Sequence, residues 1–181
     1  KTSRKHVASM IVVFATGTNK IIRATNKQTV NSDIGTIVNE KDRIKTENGT
    51  VDLQTRDGSA IRVREFTAVT VLQLLEGKTK LDMRHGTLIA SVKRKTSKDK
   101  FTITTPTAIA GVRGTTFRVE LMENTAPRVK VIKGKVAMSP RVKSLEKYDS
   151  QEIRANPVLN KLASLEKKEV VLEEKTAGSL D

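Results

Sequence analysis

The chain has 181 residues, 36% hydrophobic and 30% charged, with 34 Lys and Arg against 20 Asp and Glu for a net charge of +14. It contains no cysteine, which excludes disulfides, thiolate metal sites and a cysteine nucleophile. No run approaches the roughly 20 apolar residues of a membrane helix; the most apolar stretch, 8–15, is far too short.

This length suits one domain with an appendage or two small ones. Residues 1–150 hold the basic excess, whereas 151–181 carry 5 basic against 6 acidic residues. Such a field suits polyanions, acidic protein faces or lipid headgroups, and equally a self-repelling soluble surface. Aromatics make up 3%, so the core is expected to be aliphatic and β-branched. The first residue is Lys1, and a preceding segment, either a signal peptide or a lipid anchor, is expected to have been removed.

Residues 1–6 are polar and are expected to fray. A strand is predicted over 7–14, a turn at Gly17-Thr18-Asn19, a short strand over 20–24 and a loop over 26–33. Residues 39–43 form a charged turn region, and Glu47-Asn48-Gly49 is a strong turn because Asn and Gly tolerate positive φ. Val51, Leu53 and Thr55 then alternate with Asp52, Gln54 and Arg56, the period of a strand. After Asp57-Gly58, Ile61 and Val63 alternate with Arg62 and Arg64. Residues 68–75 read as a buried strand. Leu81 and Met83 alternate next, His85-Gly86 turns the chain, Leu88, Ala90 and Val92 alternate again, and 93–100 is a basic loop.

Two strand-like runs, 101–105 and 116–121, flank a small-residue corner that holds Pro106, Gly111 and Gly114. A third run, 129–132, meets Lys133-Gly134-Lys135 and restarts at Val136. Gly49, Gly58, Gly86, Gly114 and Gly134 each sit at a turn before an alternating run. The fold class is therefore all-β: a body of short strands, irregular and either β-solenoid-like or sandwich-like, with a C-terminal α-helix. The expected divisions are strands and loop over 1–34, a β domain over 35–139, a linker over 140–155, and an amphipathic helix with its tail over 156–181. Asn156 caps that helix and Pro157 opens it. It is predicted to run to 175 with Val158, Leu162, Leu165 and Leu172 on one apolar stripe, and 176–181 are expected to fray. The stripe is read as a lid on the body or as a face for another chain.

The chemistry of an enzyme is not visible. The two histidines, His6 and His85, lie at a terminus and in a turn, and no cluster offers three or four zinc ligands. Residues 111–116 lack the lysine of a phosphate loop, and 49–52 lack a calcium pattern. Ser59 has no evident base, and no carboxylate pair is singled out. A non-enzyme with no metal and no cofactor is expected. Lys93, Arg94, Lys95, Lys98 and Lys100 form the densest basic cluster, and Arg113 is the one charged side chain at the small-residue corner. These six are the candidate contacts to a polyanion or a partner. Specific nucleic-acid recognition is disfavoured, because stacking aromatics are scarce, Phe101 and Phe117 fall on core positions, and no basic recognition helix exists.

The pattern also resembles a family. Residues 101–119 match F-x-V-x-T-P-x-A…V-x-G-T-x-F-x-V through Phe101, Ile103, Thr105, Pro106, Ala108, Val112, Gly114, Thr115, Phe117 and Val119. Val129, Val131, Gly134 and Val136 supply a closing V-x-V-x-x-G-x-V, and 40–46, 51–63 and 81–92 add weaker matches. Residues 35–138 thus resemble a FecR-type domain. Arg43 departs from the family's usual small or acidic residue. The resemblance implies a solenoid-like domain of the periplasm or cell envelope, soluble or lipid-anchored at the outer membrane, that contacts proteins. It further implies a scaffold subunit of an envelope assembly, a homo-oligomer, or the periplasmic part of an anti-sigma signalling regulator. An anionic envelope polymer is the other implied partner.

Overall fold

Period-two alternation over short runs leaves each strand one apolar face, and two sheets satisfy those faces by turning them toward each other. The structure, a computed structural model, describes residues 8–94, 96–123, 125–174 and the backbone of 177–179. Residues 1–7, Lys95, Asn124, 175–176 and 180–181 lie outside the described residues.

Strand order in the first sheet is β4 (Ile37–Val38), β1 (Met10–Thr16), β6 (Thr50–Thr55), β7 (Ala60–Val63), the second half of β9 (Lys78–Ser91), β12 (Thr116–Leu121), β13 (Arg128–Lys133) and β16 (Ala177–Ser179). The second sheet runs β3 (Thr29–Asn31), β2 (Asn19–Ile22), β5 (Arg43–Thr46), β8 (Ala68–Leu75), the first half of β9, β10 (Lys100–Thr104), β11 (Ala108–Val112), β14 (Lys135–Pro140) and β15 (Val170–Glu173). Every described pairing is antiparallel except β9–β10. That exception follows from the connection. Residues 92–99 cross from the first sheet back to the second at the end where β9 began, so β10 starts beside Lys78 and runs with it.

One apolar core lies between the sheets. Leu53, Val63, Leu88 and Phe117 face it from the first sheet, and Ile44, Val71, Leu81 and Ile103 from the second. Phe101 on β10 and Phe117 on β12 meet edge to face across it, with centroids 6.4 Å apart and planes at 78°. The body is thus sandwich-like and shared by one long strand.

Four sequence expectations change. His85 and Gly86 do not end a strand; they lie inside β9, which leaves the second sheet and enters the first there. Gly86 makes the bend possible: its φ is +102°, and a Cβ would lie 2.5 Å from Thr67 Cα. The loop over 26–33 contains β3, because Val30 pairs with Ile21. The small-residue corner contains a full strand, β11. Its approach is a hairpin in which Thr105 Oγ1 accepts from Ala108 N at 3.0 Å, and its exit is the turn at Arg113-Gly114.

The fourth is the tail. A helix α1 (Ser150–Ala155) precedes α2 (Pro157–Glu166), and α2 stops well short of 175. Asp149 and Glu152 form a reciprocal capping box on α1, and Asn156 Oδ1 caps α2 at Val158 N, 2.9 Å. Val170 and Val171 are β-branched, and β14 offers an edge to pair with, so 170–173 become β15. Leu172 therefore lies opposite Val136 and in the core, not on the helix. Ala177–Ser179 pairs with β13, where fraying was expected. The half-buried face of α2 is Leu159, Leu162, Ala163 and Glu166; Val158 is 68% exposed and Leu165 also faces water.

Candidate functional site

Turns gather at the two ends of the sandwich, and the ends differ in chemistry. At one end stand the β6–β7 turn with Asp57 and Gly58, the β8–β9 turn at Gly77, the crossover 92–99 and the β11–β12 turn. Lys93, Arg94, Lys100 and Arg113 line one depression there, with Asp57 and Asp99. Lys98 borders the neighbouring cleft of about 450 Å³, together with Arg56 and Lys78. The structure thus brings together four of the six basic residues named from sequence and sets Lys98 next to them. Lys95 lies outside the described residues.

The crossover is built before it is charged. Ser59 Oγ accepts from Lys93 N at 2.9 Å, which ties the loop to the β6–β7 turn. Asp99 closes the loop on itself, accepting from Thr96 N at 2.9 Å and Thr96 Oγ1 at 2.7 Å. Asp57 accepts from Ser59 N at 3.0 Å and from the Thr55 hydroxyl. The two carboxylates therefore hold turns, while Lys93, Arg94, Lys98, Lys100 and Arg113 are all exposed. Such an end can attract an anion by field and by direct contact. Among the described residues no three His, Cys, Asp or Glu are grouped to hold a metal ion. No described helix is long and apolar enough to cross a membrane.

Two buried carboxylates lie elsewhere, and both serve the fold. Asp42 accepts from Arg23 Nη1 at 2.7 Å, Ala24 N at 2.9 Å and Asn39 N at 3.0 Å, which fixes the β2–β3 hairpin to β5. Asp82 accepts from Arg141 Nη1 at 2.7 Å and Thr104 Oγ1 at 2.9 Å, and pairs with Arg84 at 2.9 Å. Arg141 also donates to Glu146 at 2.6 Å and the Thr105 carbonyl at 2.9 Å. Burial works against the Arg141 charge, but Glu146 and Asp82 outweigh it and raise its pKa. Arg141 holds Glu146 below the usual carboxylate range against a smaller burial effect. This network clamps the start of the helical segment onto the second sheet.

Sequence reasoning missed a second basic surface. On the outer face of the first sheet, register aligns Asp52, Arg62, Ile89, Arg118 and Lys130 in one row. Arg62 binds Asp52 through Nε at 2.8 Å and Nη2 at 2.7 Å, and Arg118 pairs with Glu120. The alternation placed each of these residues outward, but only the pairing register puts them side by side.

Of the ten signature residues of 101–119, Pro106 is half-buried and Gly114 is exposed at a turn; the other eight lie inside. Phe101, Ile103, Thr105, Ala108, Val112, Thr115, Phe117 and Val119 are all buried. The family model described as FecR protein matches residues 42–137, from Asp42 at the start of β5 to Ala137 in β14. The chain belongs to the FecR family. Within this FecR protein the match ends on the β body, and β1 to β4 and the helical segment lie outside it. No curated protein matches the chain. Two crystal structures of a candidate anti-sigma factor from Parabacteroides distasonis ATCC 8503, at 1.65 and 2.50 Å resolution, are similar to it. Each aligns with a TM-score of 0.54 and 15% identity over 75% of this chain and 52% of that one. The FecR chain here thus spans about half the length of that protein, and the likeness concerns the fold.

Proposed function

We propose that this FecR protein is a non-enzymatic contact module of the bacterial cell envelope. In this reading it binds another protein there, as a subunit of a periplasmic or outer-membrane-associated assembly. The observation that carries the reading is the FecR match over 42–137, which spans β5 to β14 of the sandwich and most of whose signature residues are buried. A buried signature preserves a scaffold and leaves the surface to set the partner. The surface offers contact features of two kinds. Among the described residues, the short β4 pairs only with Met10 and Ile11, so Phe14–Thr16 of β1 has one ladder neighbour, β6. Ile11, Val13, Phe14 and Ile37 are partly exposed beside that edge, a surface suited to strand addition. The basic end supplies long-range attraction to an acidic partner or an anionic envelope polymer.

A second reading is the contact half of a signalling regulator. It draws on the FecR match and on the neighbours described as anti-sigma factors. Both readings expect a protein partner. They differ in whether the remainder of the assembly reaches a sigma factor.

A salt series separates protein contact from bulk polyanion binding. Binding to heparin, peptidoglycan and DNA is expected to be weak and to fall steeply between about 50 and 200 mM salt. Replacing Lys93, Arg94, Lys100 and Arg113 with Glu should flatten that dependence. Tight, salt-resistant binding to DNA would overturn the contact-module reading.

A further inference from the structure

The end of the sandwich opposite the basic cluster carries a groove with an unusual wall. Phe66, Met122, Pro106, Arg84 and His85 line it, with Glu123 as its one carboxylate among the described residues. Phe66 is 65% exposed and Met122 73%. Phe66 also sits at φ +52°, in the left-handed region that a bulky residue rarely adopts. The conformation is held from several directions. Phe66 N donates to the Glu47 carbonyl at 2.8 Å, and His85 Nδ1 donates to the Phe66 carbonyl at 2.8 Å. The next residue, Thr67, is fully buried; its N donates to Thr46 Oγ1 at 2.9 Å, and its Oγ1 accepts from Thr87 N at 2.9 Å. An aromatic ring in water and a strained backbone are two costs at one residue, and the surrounding bonds maintain both. Strain of this kind gathers at ligand clamps.

We propose that this groove is the docking site for a segment of a partner protein that carries an aromatic or branched aliphatic side chain next to an aspartate or glutamate. The apolar anchor covers Phe66 and Met122. The acid meets Arg84, whose side chain is 58% exposed beyond its pair with Asp82, and His85 beside it. The net charge of +14 favours an acidic segment at long range and opposes a second copy of this chain in the same place. The proposal rests on the contact-module reading and gives that module a site and a ligand chemistry.

The test pans a displayed library of random dodecapeptides against the full chain. Enriched peptides are expected to share an aromatic or aliphatic residue adjoining Asp or Glu. Their affinity should fall by about tenfold or more in Phe66→Gly and in Met122→Asp, the scale of losing an interface anchor. Phe66→Gly should melt at or above the temperature of the parent chain, because glycine accepts the left-handed backbone. Loss of binding without loss of stability is the signature of a docking residue. Three results overturn the proposal: no peptide enriched, enriched peptides that bind both variants as well as the parent, or self-association that Phe66→Gly abolishes. If the groove fails but partner cross-links at β1 persist, the contact-module reading stands without it; if both vanish, that reading fails too.

Discussion

Asp82 is 4% exposed and faces Arg141, whose side chain is 10% exposed. Removing one partner of such a pair leaves a buried charge without compensation, whereas removing both leaves none. Asp82→Ala is therefore expected to cost about 3 kcal/mol in urea denaturation, and adding Arg141→Met should recover part of that loss. Glu65 and Glu146 contribute to the acid behaviour. Hydrogen bonds from Arg64 hold Glu65 down to about 2, and Arg141 holds Glu146 below its usual range. Both folded values lie below the unfolded value of about 4.3, so their contribution is present above that pH and is lost as pH falls through the folded values. Stability should decline from about pH 5 toward pH 2, and Glu146→Gln should flatten the decline. The Glu65 side chain is only partly covered, so high salt should bring its NMR titration midpoint back up. The role of Asp82 was not visible in the sequence, because Arg141 and Asp82 are 59 positions apart and meet only through the fold.

At the scale of elements, alternation was a reliable guide wherever a strand has one wet face. The patterns at Val51–Leu53–Thr55 and Phe117–Val119–Leu121 appear as β6 and β12 with those residues buried. The guide failed where tertiary pairing outweighed local pattern. Leu172 continued a helical stripe on paper, yet the edge of β14 drew 170–173 into a ladder. β11 was hidden because Ala108, Ala110 and Gly111 read as a corner, although small residues also suit a strand packed closely on both sides. The altered tail makes a clear prediction. Leu172→Ala should cost about 2–4 kcal/mol as a core truncation, while Val158→Ser should change stability by less than about 0.5 kcal/mol. The same denaturation curves check both, and equal effects would place 170–173 on the helix after all.

At the scale of the molecule, the fold is a two-sheet sandwich with a basic end, an apolar end and a helical segment clamped to one face. The family signature was legible in sequence because it encodes that architecture: its residues are the core and the turns. The contact surfaces were only half legible. The basic cluster stood out as a run, but Phe66 stands between Glu65 and Thr67 and Met122 directly follows Leu121, so only exposure, and for Phe66 its backbone, marks them. In the function proposed above, this FecR protein binds a protein in the cell envelope. The most direct measurement places a photoreactive phenylalanine at Phe66, at Phe14 and, in place of Lys98, at the basic end, then irradiates intact source cells. A discrete adduct with one envelope protein is expected from at least one of the apolar positions. Adducts with nucleic acid alone, or none at any of the three positions, would contradict it.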